Sequence, residues 1–229
     1  MSKQLGSAVA GGRSQGGARG PHALFGIESG TAGVNAPGYS PTPSKTPRAL
    51  ERQEALRALV SDLGTDLILE IGCGHGHFLA AYGAAHPERR CVGVDMSLDR
   101  VVRAERKRRR GKLDNVRFVR ADIENFLAVI PAPTRFTTIF LLFPDPWPKR
   151  RHYKHRLMQA DFLQRLAPWC RPEARLHFRT DHPGYFSDGK KAVAAAPAWE
   201  IADGPWPFEF ETIFQARAPH HQSLIARRR

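Results

Sequence analysis

Hydrophobic positions change their period along this chain, and the changes mark its elements. From Arg48 to Leu63, apolar Ala49, Leu56, Leu59, Val60 and Leu63 recur at helical spacing among charges, which predicts an amphipathic helix closed by Gly64. Leu67 to Ile71 is then an apolar run broken only by Glu70, the pattern of a strand buried on both faces. Gly72, Gly74 and Gly76 follow at alternate positions, and His77 to His86 predicts a helix with Phe78, Leu79 and Tyr82 on one side. The same grammar continues with a strand at Cys91 to Asp95, a helix at Asp99 to Lys112, an alternating strand at Val116 to Asp122 and a β-branched strand at Thr137 to Phe143. Leu157 to Leu166 reads as a helix burying Phe162, Leu163 and Leu166, Arg175 to Thr180 as a fifth strand, and Gly184 to Ala196 as the next helix. Phe208 to Gln215 with Ser223 to Arg228 reads as a closing hairpin. Strands that alternate with helices predict an α/β fold on a parallel sheet.

Acids recur at the ends of the expected strands. Glu70, Asp95, Asp122 and Asp145 each close a successive one, and in a parallel sheet those ends share one rim, where open α/β folds keep their ligands. The turn between Glu70 and His77 lacks the Gly-Lys-[Ser/Thr] of a phosphate loop and has His77 where a dinucleotide fingerprint places its third glycine. An acid just ahead of the glycines would repel a pyrophosphate but suits a ligand carrying an ammonium and a sulfonium, and S-adenosyl-L-methionine is such a ligand. Gly72, Gly74 and Gly76 would let the backbone approach it closely. Asp95, about 20 residues past the turn, fits a ribose contact or a helix N-cap.

Beyond the fourth strand, Phe143-Pro144-Asp145-Pro146-Trp147-Pro148 carries three alternate prolines, which predict a stiff, extended shelf. Seven of the eight residues from Lys149 to Arg156 are basic or imidazole. A carboxylate and a flat ring beside a cationic ramp suit an enzyme acting on one base of a polyanion. Trp147 reads as packing support for the shelf, with base stacking as its alternative.

Charge strengthens that picture. The 229 residues hold Lys+Arg 35 against Asp+Glu 22, a formal net charge of +13, which favours a nucleic acid or another polyanion as partner. Asp99 to Lys112, with Arg106 to Arg110 consecutive, reads as a solvated face that enlarges this field. Residues 1–48 are rich in Gly, Ser and Pro and are expected to be a disordered tail ahead of one catalytic domain at 49–229. No stretch approaches the roughly 20 apolar residues of a membrane span, and the N-terminal residues lack the apolar core of an export signal, so a cytoplasmic protein without membrane partner is expected. Cys73, Cys91 and Cys170 are too few and scattered for a disulfide framework, and His75 with His77, or His177 with His182, lack a third ligand, so no metal is expected.

Glu70-Ile71-Gly72-x-Gly74-x-Gly76, Asp95, Asp122 and above all the run from Phe143 to Leu157 make the sequence resemble the bacterial tRNA (guanine-N7-)-methyltransferases, a class I S-adenosylmethionine-dependent family. The resemblance covers roughly residues 50–215. It implies a Rossmann-like fold, a mostly parallel seven-stranded sheet with an antiparallel strand near the edge and helices on both faces. It also implies methylation of N7 of guanosine 46 in the tRNA variable loop. By position, Glu70, Gly72, Gly74, Gly76, Asp95, Asp122 and Asp145 would bind the cofactor, with Asp145 also catalytic. Lys149, Arg150, Arg151, Lys154, Arg156, Asp181, Thr212 and Gln215 would meet tRNA or guanine. Asp181 would accept from guanine N1 and N2, or cap the next helix. The chain departs from the family pattern at Asp95 and Gln215, where glutamates are usual, and at His155, where an arginine is usual. A monomer or homodimer with no obligatory protein partner is expected. An inactive RNA-binding paralogue, and a methyltransferase for small molecules or proteins, are the competing readings.

Overall fold

The computed structural model describes residues 47–211, 215–216 and 220–229. Seven strands form one sheet: β1 (Asp66–Ile71), β2 (Arg90–Asp95), β3 (Val116–Arg120), β4 (Arg135–Leu142), β5 (Cys170–Thr180), β6 (Trp199–Ala202) and β7 (Gln222–Arg228). Their order is β3-β2-β1-β4-β5-β7-β6. The first five run parallel, and β7 is antiparallel to both β5 and β6. Because β1 pairs with β2 on one side and β4 on the other, the chain changes direction across the sheet between them. The strand tips beside that change are where such a sheet leaves a crevice.

Alternation along β1 divides its side chains between the two faces. Leu67, Leu69 and Ile71 join a core with Leu56, Val60 and Leu63 around α1 (Pro47–Val60). The same core takes in α4 (Ile123–Leu127), α5 (Ala160–Leu166) and α6 (Pro183–Ala195). Ile68 joins the opposite core, with α2 (His77–Ala85) and α3 (Leu98–Arg110). Glu70 therefore projects to the α2 side. Each large apolar side chain buried this way stabilises the fold by about 1.5–3 kcal/mol. The three cysteines are free and buried. Among the described residues no helix is long and apolar enough to cross a membrane.

Several boundaries differ from the sequence pattern for local reasons. The first helix ends at Val60 and leaves Leu59 exposed, because Leu56, Val60 and Leu63 already define the inward stripe. The third strand stops at Arg120, and Asp122 begins α4 instead, its carboxylate accepting from Asn125 N at 2.9 Å. The fifth strand starts earlier than Arg175, at Cys170, with an irregularity spanning Pro172 and Glu173 that shifts its register against β4. Leu157 precedes α5 and does not form its first turn. The expected hairpin is wrong in its first strand, since β7 pairs with β6 at Trp199–Ala202, while Phe208 to Glu211 forms no strand. Alternate aromatics Phe208 and Phe210 mimicked a strand, yet they pack on the α2 side, where Phe208 meets Phe78 and Tyr82 edge-on. Pro205 and Pro207 lie just upstream, and neither has an N–H to offer a ladder.

Candidate functional site

The glycine turn is fastened to β2 by backbone and side chain alike. Gly72 N and Cys73 N donate to Val94 O at 2.8 and 3.1 Å, and Gly74 N donates to Asp95 Oδ2 at 2.9 Å. Ser97 N donates to the other Asp95 oxygen at 2.8 Å, so this buried carboxylate braces the turn from two directions. Capping of α3 falls to Ser97, not Asp95. All three glycines have positive φ, 73°, 55° and 67° in chain order, a region where a Cβ is costly. Their surroundings differ. A Cβ on Gly76 would lie 2.5 Å from Phe118 Cζ and 2.7 Å from Ala104 Cβ, whereas on Gly72 or Gly74 it would meet nothing within 4 Å. The turn is thus clamped at its far end and open at its near one.

Glu70 lies beneath this opening. It is buried, its Oε2 has no hydrogen-bond partner, and burial pushes its carboxyl up to about 8. A bond from the backbone N–H of Leu79 opposes that shift, and the neighbouring Asp95 charge adds to it. An orphaned buried acid, a braced second acid and an open glycine turn form a donor set suited to a cationic nucleoside. S-adenosyl-L-methionine fits these residues, since its cationic groups would favour the ionised form of Glu70 and the space above Gly72 and Gly74 is open. Two clefts, one around Thr65, Asp66 and Arg90 and one around Asp62, Asn115 and Arg117, hold none of the expected site residues.

The other two rim acids have different surroundings. Asp122 spends both carboxylate oxygens on Asn125, and Asp145 is exposed on the shelf. The shelf itself is not a straight extended segment. Phe143 and Trp147 have φ of 48° and 42°, and Phe143 N donates to Arg179 O at 2.8 Å, which ties the start of the shelf to β5. Lys149, Arg150, Arg151 and Lys154 are exposed around a 3₁₀ turn at Arg150–His155. Arg156 departs from expectation. It is buried, donates from Nε to Pro146 O at 2.7 Å and from Nη1 to Asp188 Oδ2 at 2.6 Å, and its guanidinium lies 3.7 Å from the Tyr153 ring centroid. It is a strut beneath the shelf and not part of the cationic surface. Trp147 has His155 and His152 against its ring and is still 37% exposed.

At the tip of β5, Asp181 is exposed and does not cap α6, a role taken by His182, whose Nδ1 accepts from Tyr185 N at 3.0 Å. Sequence reasoning missed Arg179. This buried guanidinium donates from Nη1 and Nη2 to the two Glu209 oxygens at 3.0 Å each, and from Nε to Ser223 Oγ at 2.9 Å. It also lies 4.0 Å from the Trp206 ring centroid. With the Gln215 amide oriented to donate to Phe210 O at 3.1 Å, its oxygen accepts from Arg179 Nη1 at 3.2 Å. Arg179 thereby anchors the segment carrying Gln215, and its bonds hold the Glu209 carboxyl below the usual carboxylate range. The clue was a charge inside an otherwise buried strand end, His177-Phe178-Arg179-Thr180. Thr212 lies outside the described residues. No group of three metal-binding side chains occurs among the described residues.

Comparison with known proteins places this geometry. A family model described as "Putative methyltransferase" matches residues 65–214. The chain belongs to this methyltransferase family. The resemblance to tRNA (guanine-N7-)-methyltransferases is borne out at the level of family, because the curated relatives bear that name. A tRNA (guanine-N(7)-)-methyltransferase of Nocardia farcinica is 37% identical over 131 residues, 57% of this chain and 49% of that protein. One from Alkalilimnicola ehrlichii is 36% identical over 141 residues, 62% and 60% of the two chains, and one from Ruegeria sp. is 29% identical over 198 residues, 81% and 74%. The match thus spans about half the length of the Nocardia relative. Among solved structures, TrmN from Thermus thermophilus superposes with a TM-score of 0.52 at 16% identity, over 77% of this chain and 48% of that one. The aminoglycoside resistance methyltransferase NpmB1 gives 0.51 at 16% identity, over 77% and 93%. The fold of this chain is the Rossmann-like class I one, as the sheet order also requires.

Proposed function

We propose that this methyltransferase transfers a methyl group from S-adenosyl-L-methionine to N7 of a guanosine in tRNA, at position 46 of the variable loop, in the cytoplasm. The observation that carries the reading is the juxtaposition, on adjacent parallel strands β1 and β4, of an open glycine turn over a buried acid and a shelf that presents Asp145 and four exposed cations. The names of the curated relatives support the same substrate.

Glu70, Gly72, Gly74 and Asp95 would hold the cofactor, with Gly76 keeping the turn in place and Asp122 at its edge. When bound, S-adenosyl-L-methionine supplies an electrophilic methyl on a sulfonium. Guanine N7 has an in-plane lone pair and no proton at neutral pH, so no strong general base is needed. The protein's work is alignment, which can lower a barrier by about 7–11 kcal/mol where geometry is good. Asp145 orients the guanine edge and offsets the positive charge that develops on the ring. Lys149, Arg150, Arg151 and Lys154 take the phosphates, while Asp181, Thr212 and Gln215 are the residues that recognise the base. Gln215 keeps hydrogen bonds but not charge at a position where the related family usually has glutamate, and Arg179 fixes its amide.

Labelled S-adenosyl-L-methionine and unmodified tRNA, followed by mass-spectrometric mapping, test the reading. Label on guanosine 46 as 7-methylguanosine is expected, and the rate should fall steeply as salt rises. Label on another nucleotide, or only on a small molecule or protein with no salt dependence, overturns it.

A further inference from the structure

Trp147 is held in a position that its own packing does not account for. Its backbone is left-handed, φ 42°, a conformation rare for bulky residues and maintained only where the surroundings over-determine it. Pro148 favours extended backbone at the residue before it and so adds to the strain. The hold comes from the preceding side, where the carbonyl of Pro146 is gripped by the buried Arg156 guanidinium at 2.7 Å, itself fastened to Asp188 and laid over Tyr153 and Tyr185. All this fixes a ring that stays 37% exposed, although tryptophan is among the side chains that gain most from burial.

We propose that Trp147 is a stacking platform for a nucleobase of the RNA segment that carries the target guanosine. The proposal rests on the reading above that the substrate is tRNA. Neither neighbouring imidazole is stacked parallel on the indole: the His152 ring stands at 88° to it, and the His155 ring is tilted at 47°. A partly exposed aromatic ring thus stands beside the cations, two residues from Asp145. A base splayed out of its stack needs such a surface, and an aromatic face accepts any base. Lys149, Arg150 and Arg151 receive the phosphates that flank the base.

The test compares wild type, Trp147→Ala and Trp147→Phe in tRNA binding at fixed salt, S-adenosyl-L-methionine binding by calorimetry, thermal unfolding, and methyl transfer. Trp147→Ala should weaken tRNA binding roughly 5- to 150-fold while leaving cofactor affinity and melting temperature unchanged. Trp147→Phe should recover most of that loss. Neither should alter the salt slope of tRNA binding, since no charge is removed. The proposal is overturned if Trp147→Ala binds tRNA like wild type, if it loses cofactor affinity and melting temperature in step with tRNA affinity, or if Trp147→Phe is no better than alanine. A wild type that methylates no tRNA overturns the underlying reading instead, whatever the variants bind.

Discussion

The two halves of the candidate site reach their shapes by opposite means. On the β1–β2 side, left-handed backbone falls on Gly72, Gly74 and Gly76, where it costs little, and the buried carboxyl groups are those of Glu70 and Asp95. On the β4–β5 side it falls on Phe143 and Trp147, where it is strained, and the buried charges are the guanidiniums of Arg156 and Arg179. One half is a relaxed socket lined by carboxyl groups. The other is a strained surface propped from below by buried cations while further cations face out. Substitutions in the first should act on the cofactor and on the pH response of the fold, and those in the second on the substrate and on the strut.

The largest separation is expected at Asp145. Because it is exposed, Asp145→Ala should leave the melting temperature unchanged, yet single-turnover methyl transfer should fall at least about 10²–10³-fold if it stabilises charge in the transition state. Near-wild-type turnover removes it from the mechanism.

Next come the glycines. Gly76→Ala adds left-handed strain to a clash with Phe118 and Ala104, about 2–5 kcal/mol in a denaturant titration. Gly74→Ala should cost about 1–2 kcal/mol from strain alone, because its Cβ meets open space, and should lower cofactor affinity instead. Equal stability losses would show that the open end of the turn is packed in solution.

Arg156→Met should destabilise by about 1.5–3 kcal/mol, through two charge-assisted hydrogen bonds and the Tyr153 contact. Arg151→Met, on the outer surface, should stay within about 0.5 kcal/mol. A stability effect at Arg151 and none at Arg156 would reverse the assignment of strut and surface.

The smallest effect is one of pH. Burial raises the Glu70 carboxyl to about 8, so the folded protein keeps a proton that the unfolded chain, at the ordinary value of 4.5, has already released. Native stability therefore falls as pH rises between those values. His177 acts in the opposite sense, since burial, reinforced by the charges of Arg175 and Arg179, lowers it from 6.5 to about 4, and its contribution is lost as pH falls through that window. Between pH 6.5 and 8 Glu70 acts without that opposition, and cofactor-free protein should lose up to about 1.4 kcal/mol per pH unit. In Glu70→Gln that slope should vanish. A slope that persists would place the responsible group elsewhere.

The socket was legible in the sequence because every cue agreed. An apolar run, a single acid and alternate glycines admit few structures, and Asp95 followed at the expected interval. The strut was not legible, because Arg156 sits in a run of basic residues and nothing local distinguishes the one that turns inward to Pro146 O and Asp188. Arg179 was hidden for a related reason, since its partners Glu209 and Ser223 lie 30 and 44 residues away. The false hairpin strand at Phe208 and Phe210 shows how period-two aromatics can serve packing without a ladder. Long-range pairing, not local preference, decided all three.

A crossed titration tests the division between the halves most directly: S-adenosyl-L-methionine and unmodified tRNA, each titrated calorimetrically into Glu70→Gln/Asp95→Asn and into Lys149→Ala/Arg151→Ala. The first pair should lose at least about tenfold in cofactor affinity and keep wild-type tRNA binding, and the second should do the reverse, with a shallower salt slope by close to two phosphate contacts. Parallel losses of both ligands in both variants would contradict a site built from two separable parts.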